Sequence, residues 1–264
     1  MNKATVYSEY GIKYQGGKIY NEKLGFVNPM LVDGNEKIGK GIFHFSTLPG
    51  TANYECSVNG IDFSVKGTCV CDCKGCYAMT GNYRYASVQT ALGVRTWIAR
   101  NDLAWIENAI NAQIKADSVK FIRIHASGDF FGAEYIEMWK RIAIQNPDIT
   151  LWTYTKNPAA ENAFNEIPNC NIVKSVIPGK GVNFGHCDYI LSCYEYLKAA
   201  GKSVYICRCG VDKGQHCTNC KGCSRNEYVL FIEHSTEYKA EKDSLFPVLK
   251  ALIESQDSTI AGIQ

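Results

Sequence analysis

Between Gly41 and Ser235 the chain alternates short runs of β-branched and aromatic residues with longer amphipathic stretches, and this alternation narrows its fold more than anything else. The strand-like runs are "GIFHFSTL" (Gly41 to Leu48), "SVKFIRIHASGD", "DITLWTYTKN", "CNIVKSVIPGKG", "KSVYICRC" and "EYVLFIEHS", six in all. Between them, "ASVQTALGVRTWIARNDLAWIENAINAQIKA", "AEYIEMWKRIAIQ", "PAAENAFNEI" and "DYILSCYEYLKAA" space their apolar residues at the helical period. The first of these reads as two helices split near Asn101 and Asp102, with Asp102 capping the second. Strands that alternate with helices build right-handed βαβ units and a parallel sheet. The expected fold is α/β, an open or partial (βα)6 barrel.

Around that frame, residues 1–40 are rich in Gly, Tyr and Asn and predict a small β-rich extension of short strands and turns. "YECSVNGIDFSV" predicts a hairpin turning on Asn59-Gly60. Residues 41–235 form the expected barrel, including a cysteine-rich metal segment at 207–223, and residues 236–264 contain a final helix, "EKDSLFPVLKALIES". At 264 residues the chain is about the length of one α/β barrel.

The chain has thirteen cysteines, most of them clustered. The opening "MNKATVYSEYGIKY" lacks the apolar core of a secretory leader, and no long apolar run suggests a membrane span. The expected location is therefore the cytoplasm. Disulfide scaffolds belong to small secreted domains, whereas clustered cysteines in a cytosolic chain point to metal. The net charge of +2 gives no support for nucleic acid as a partner.

"TCVCDCKGCYA" (Thr68 to Ala78) sets Cys69, Cys73 and Cys76 in a C-x3-C-x2-C pattern with Cys71 inside it. Three thiolates on one loop suit three irons of a cubane cluster and leave the fourth iron open. Thiolates also suit zinc, but structural zinc sites prefer four ligands, often as two C-x2-C pairs. Cys71 is a potential fourth ligand that would close the site.

This spacing, on a loop after the first strand of a βα series, resembles the radical S-adenosylmethionine superfamily. The resemblance implies a [4Fe-4S] cluster on Cys69, Cys73 and Cys76, bound S-adenosylmethionine, and an electron donor of the ferredoxin or flavodoxin type. It also implies that Ser127, Gly128 and Asp129 of "HASGDFF" hold the amino group of S-adenosylmethionine. Gly75 stands where the superfamily has a bulky residue. A longer resemblance runs through "CKGCYAMTGNYRY", "RIHASGDFFGAEYIEMWKRIA", "ITLWTYTKN" and the cysteines near residue 210. Over roughly Phe43 to Cys223 the chain is similar to the phage gene product 88 family, which implies an accessory protein of the infected host's cytoplasm. It names no reaction, and the substrate, small or macromolecular, stays open.

"CRCGVDKGQHCTNCKGC" holds Cys207, Cys209, Cys217, Cys220 and Cys223. Its C-x2-C-x2-C matches the start of a ferredoxin-type run, and Cys209 supplies a fourth thiolate. Zinc and an auxiliary cluster both suit such a closed set. Cys71, Cys187, Cys193 and Cys207 would be the donors of a third cluster; the other reading is that unused cysteines are buried, inert thiols.

Where strands of such a sheet meet the next loop, residues line the active face. That selects His125, Ser127 and Asp129, then Tyr154, Lys156 and Asn157, then Ser175 and Lys180. His125, Lys156 and Asn157 are read as cofactor-binding residues. His125 equally suits a satisfied core histidine, and Asp129 equally suits the N-cap of the following helix.

Overall fold

The computed structural model describes residues 2–34, 38–73, 76–211, 216–220, 222–233 and 239–260. The chain is mixed α/β and divides into two compact units, Met1–Gly34 with Lys40–Cys170, and Asn35–Gly39 with Asn171–Gln264.

The first unit opens with α1 (Lys3–Glu9), where the sequence predicts only strands and turns. Asn2 caps it by accepting from Ala4 N, and its Val6 and Tyr7 are buried. Three short strands, β1 (Tyr14–Gln15), β2 (Lys18–Asn21) and β3 (Gly25–Val27), form an antiparallel meander. β4 (Val32–Asp33) runs antiparallel to β5 (Ile42–Phe45). β6 (Asn53–Val58) and β7 (Ile61–Lys66) are the expected hairpin. Asn59 (φ 53°) and Gly60 (φ 76°) both occupy the left-handed region that a two-residue primed turn demands. The cysteine loop leaves the end of this hairpin.

Two helices follow, α2 (Ala86–Asn101) and α3 (Leu103–Ala116), split at Asp102, whose carboxylate accepts from Trp105 N. β8 (Phe121–Ile124) lies parallel to β5, and β9 (Thr150–Thr155) lies parallel to β8, with Phe45 opposite Ile124 and Ile122 opposite Leu151. Between these two strands α4 (Ala133–Gln145) buries Tyr135, Met138 and Trp139. Trp139 meets Phe45 edge-on at 5.3 Å between centroids. Burial of each such side chain contributes roughly 1.5–3 kcal/mol. α5 (Pro158–Ala163) starts with proline in its first turn under an Asn157 cap.

β10 (Cys170–Lys174) leads into the second unit, where β11 (Val176–Ile177) pairs antiparallel with β12 (Gly181–Val182). β15 (Tyr228–Ile232) is the central strand of this unit, parallel to β10, to β13 (Phe184–Gly185) and to β14 (Val204–Ile206). α6 (Cys187–Ala199) sets Cys187, Ile190, Cys193 and Leu197 against Ile206, Leu230 and Ile232. α7 (Cys217–Cys220) is a single turn within the second cysteine run, and Leu249 and Ile253 of α8 (Phe246–Ile260) complete the core.

All six expected strands occur, as β5, β8, β9, β10, β14 and β15. The end of the sixth run, at 234–235, and part of the expected C-terminal segment lie outside the described residues. Among the described residues no helix is long and apolar enough to cross a membrane.

Candidate metal centre

The first cysteine loop lies at the C-terminal ends of three parallel strands, β5, β8 and β9, the edge of an α/β sheet where ligand sites form. A buried polar network ties it there. Thr68, the residue before Cys69, shares a 2.8 Å hydrogen bond with Thr47 Oγ1 and accepts from Asp129 N at 3.0 Å. Ser127 Oγ donates to Thr47 O at 2.9 Å, and Thr47 N donates to Ser127 O. Asp129 Oδ1 accepts from Thr155 Oγ1 (2.6 Å) and Phe130 N (2.8 Å), while Oδ2 accepts from Lys156 N (2.9 Å). Four chain segments far apart in sequence are thus held together by hydrogen bonds among buried groups.

Gly128 sits at the centre of this network with φ +83°, where an added Cβ would overlap Thr47 Oγ1 and meet Thr68 Oγ1 at 2.5 Å. Both conformation and space require glycine. Asn157 caps α5 through Ala159 N and donates from Nδ2 to Phe130 O at 2.9 Å.

The structure therefore gives Ser127, Asp129 and Asn157 bonds within the fold. Asp129 does not cap α4, whose N-cap is Gly132; two intervening residues leave the carboxylate turned to β9 instead. Burial raises the Asp129 carboxyl, and the three hydrogen bonds it accepts oppose that rise. His125 is a core residue: its Nε2 meets Tyr135 Oη at 2.8 Å, and its ring packs edge-on to Phe130 at 4.7 Å. Burial lowers its pKa to about 3, which keeps the ring neutral. Its backbone is left-handed, with φ 59°.

The loop itself is held at both ends. Cys69 N donates to Gly50 O at 3.1 Å, and the Asp72 carboxylate accepts from Thr51 N at 2.8 Å and Thr51 Oγ1 at 2.6 Å. Beyond Cys76, Tyr77 Oη donates to Ala126 O, and Tyr83 Oη reaches the same carbonyl at 3.4 Å.

Cys71 and Cys73 are exposed, with Sγ atoms 3.8 Å apart; Cys69 and Cys76 are half-buried. Burial pushes the Cys69 thiol up to about 12, and the charges of Asp129, Cys76 and Cys73 add to that rise. Burial and contact with Cys73 likewise raise Cys71, against the pull of Lys156. The thiols thus share one electrostatic neighbourhood. Among the described residues no three His, Cys, Asp or Glu side chains converge on a single point. Gly75 lies outside the described residues.

The second run belongs to the other unit. Cys207 follows β14, with its N–H donating to Leu230 O at 2.8 Å, and Cys209 lies in a short 3-10 turn. Cys217 and Cys220 open and close α7. Cys220 Sγ is 3.1 Å from Tyr205 Oη, and the buried Cys223 offers its carbonyl to Asn171 Nδ2 at 2.7 Å. Cys187 and Cys193 are fully buried among the apolar side chains of α6, β14 and β15. In the first unit, Cys56 packs with Leu48, Val65 and Leu92. No disulfide joins any of the thirteen cysteines.

Lys180 donates to Ser192 Oγ at 3.0 Å, and its ammonium lies over the Tyr196 ring at 5.7 Å, so it serves the hairpin–helix packing of its unit. Tyr154 stacks under Arg123 at 5.0 Å. The hydroxyls of Thr47, Thr68 and Thr155 organise the site, although none of them belongs to the expected site residues. Their only sequence signal is a threonine at or just beyond the end of a strand.

Comparison with known proteins gives this loop a family. The sequence signature described as Gene product 88 matches residues 29–180, more than half of the chain and all of the first cysteine loop. The chain belongs to the gene product 88 family. A curated relative, "Gene 88 protein" of Mycobacterium phage L5, is 29% identical over 125 residues, covering 39% of this chain and 50% of the relative. The chain thus aligns with about half the length of that relative. No solved structure matches. The family match contains the whole strand-end network from Thr47 to Lys156 and ends before the second cysteine run.

Proposed function

We propose that this member of the gene product 88 family is an iron–sulfur redox protein. Cys69, Cys73 and Cys76 would hold a [4Fe-4S] cluster, and Cys209, Cys217, Cys220 and Cys223 would hold an auxiliary four-thiolate centre. The observation that carries this reading is the position of the C-x3-C-x2-C loop at the C-terminal edge of β5, β8 and β9, tied down through Thr68 and Asp129. The donor set fits the group: soft thiols, gathered on one anchored loop and within electrostatic reach of one another. When bound, such a cluster supplies one-electron transfer.

The chain's own residues do the rest. Thr68 and the Asp72–Thr51 clamp hold the loop, Lys156 places a positive charge near Cys71, and the buried strand-end network keeps bulk water from beneath the site. An electron carrier or redox sensor suits this arrangement better than an enzyme cleaving S-adenosylmethionine. Asp129 already accepts three internal hydrogen bonds, and Ser127 donates its proton to Thr47 O. The position of the loop at the strand ends favours S-adenosylmethionine cleavage as the second reading.

Anaerobic purification followed by iron, zinc and acid-labile sulfide analysis tests the cluster. Iron with matching sulfide is the expected result, and zinc without sulfide would overturn it. Adding S-adenosylmethionine to the reduced protein separates the two readings. An unchanged EPR spectrum and no 5'-deoxyadenosine are expected of the carrier, and 5'-deoxyadenosine would establish the enzyme.

A further inference from the structure

The structure assigns a second chemistry to the first cysteine loop: Cys71 and Cys73 form a thiol–disulfide exchange site, and its oxidation withdraws Cys73 from the metal-binding set. The withdrawal rests on the cluster reading above; the exchange chemistry does not.

The pair is already assembled. The two Sγ atoms touch at 3.8 Å, and both residues are exposed. A disulfide holds its sulfurs about 2.05 Å apart, so bond formation needs an approach of about 2 Å, within reach of side-chain rotation. Between them, Asp72 is clamped to Thr51 through both carboxylate oxygens, which fixes the backbone of the Cys-Asp-Cys turn. A preset, solvent-facing pair exchanges with small disulfides faster than two thiols that must first meet. Cys69, half-buried with its N–H on Gly50 O, stands apart from this contact.

The oxidant is a small-molecule disulfide of the oxidised-glutathione class. One cysteine thiolate attacks a sulfur of that disulfide, forming a mixed disulfide and releasing one glutathione thiolate. The second cysteine thiolate then attacks the protein sulfur of the mixed disulfide and displaces the other glutathione. The protein loses two protons and two electrons, and two glutathione thiols are produced. A reduced thiol pool reverses both steps.

The test uses the full chain, metal-free, treated with oxidised glutathione and alkylated with iodoacetamide before trypsin digestion. Cleavage after Lys66 and Lys74 releases residues 67–74, which contain Cys69, Cys71 and Cys73. The expected peptide is alkylated at Cys69 alone and becomes alkylated at all three after reduction. Alkylation of Cys71 or Cys73 without reduction would overturn the exchange site, as would a bridge that includes Cys69. In Cys71→Ser the same treatment should leave Cys73 carrying glutathione, with no internal bridge.

Iron and sulfide loading then tests the withdrawal. The reduced wild type should load both sites, and the oxidised form should bind about four irons fewer. Cys71→Ser should load both sites when reduced, and after oxidant the glutathione on Cys73 should block the first site until it is removed by reduction. Equal loading of the oxidised and reduced wild type would overturn the withdrawal, and so would failure of reduced Cys71→Ser to load, which would make Cys71 a ligand. A reduced wild type that binds no iron would instead count against the cluster reading, whatever the peptide map shows.

Discussion

The two cysteine runs hold their thiols in opposite ways. In the first, the thiols lie in an open loop whose exposed pair, Cys71 and Cys73, faces solvent, and the order is stored beneath it in the Thr47–Thr68–Asp129–Thr155 network. In the second, the thiols are themselves part of the packing: Cys207 and Cys223 are buried, Cys220 contacts Tyr205, and the backbone coils in single turns around them. An anchored but open loop suits a metal that exchanges electrons or ligands. A wrapped set suits a closed centre that stabilises its surroundings. This difference predicts that substitutions under the first loop change the platform, whereas substitutions in the second change the thiols' own environment.

The largest expected effect is at Gly128. Gly128→Ala forces a side chain into the left-handed region and against Thr47 and Thr68, and it should cost at least about 3 kcal/mol in denaturant unfolding. A loss below about 1 kcal/mol would show that the network is not the rigid base of the loop. Next is Asp129→Asn, which turns an amide N–H2 toward either Lys156 N or Thr155 Oγ1 and leaves a buried donor unsatisfied. A loss of about 2 kcal/mol is expected.

Acid should also weaken the first unit. His125 is neutral when folded, with its pKa lowered to about 3, so the unfolded chain takes up the proton first. The stability His125 gives is complete above its unfolded value near 6.5 and is lost as pH falls toward 3. Between about pH 6.5 and about pH 5 this amounts to about 2 kcal/mol. His125→Phe should flatten that slope in unfolding measured across this range. An unchanged slope would assign the acid sensitivity elsewhere, for example to His44, which burial and the nearby Arg95 and Arg123 lower to about 4.

The smallest effect on stability is expected at Asp72, which is exposed. Asp72→Ala should leave the unfolding midpoint almost unchanged yet speed alkylation of Cys71 and Cys73, because the Thr51 clamp is released. The same measurement on Cys217 and Cys220 should not change.

How far the sequence could lead depends on where each element gets its stability. The Asn59-Gly60 hairpin, the Asp102 cap and the alternating order of strands and helices follow from local rules, and the structure shows them in that order; α5 ends four residues before its expected end, and the last helix runs five residues later than expected. α1 was not legible, because seven residues are too short to be helical alone. Its ion pairs join Lys3 to Asp117 and Glu9 to Lys115, more than a hundred positions away. The site divides similarly. The cysteine spacing can be read in one line of sequence, but the role of Asp129 depends on Thr155 and Thr68, 26 and 61 positions distant. A short polar motif after a strand resembles a ligand-binding motif until its partners are known.

The most direct measurement is the iron and sulfide content per chain of anaerobically purified wild type, Cys73→Ser and Cys220→Ser. A cluster on each run predicts that either variant loses about four irons and keeps the rest. Wild-type protein that contains zinc without sulfide, or variants that keep the full iron content, would contradict it.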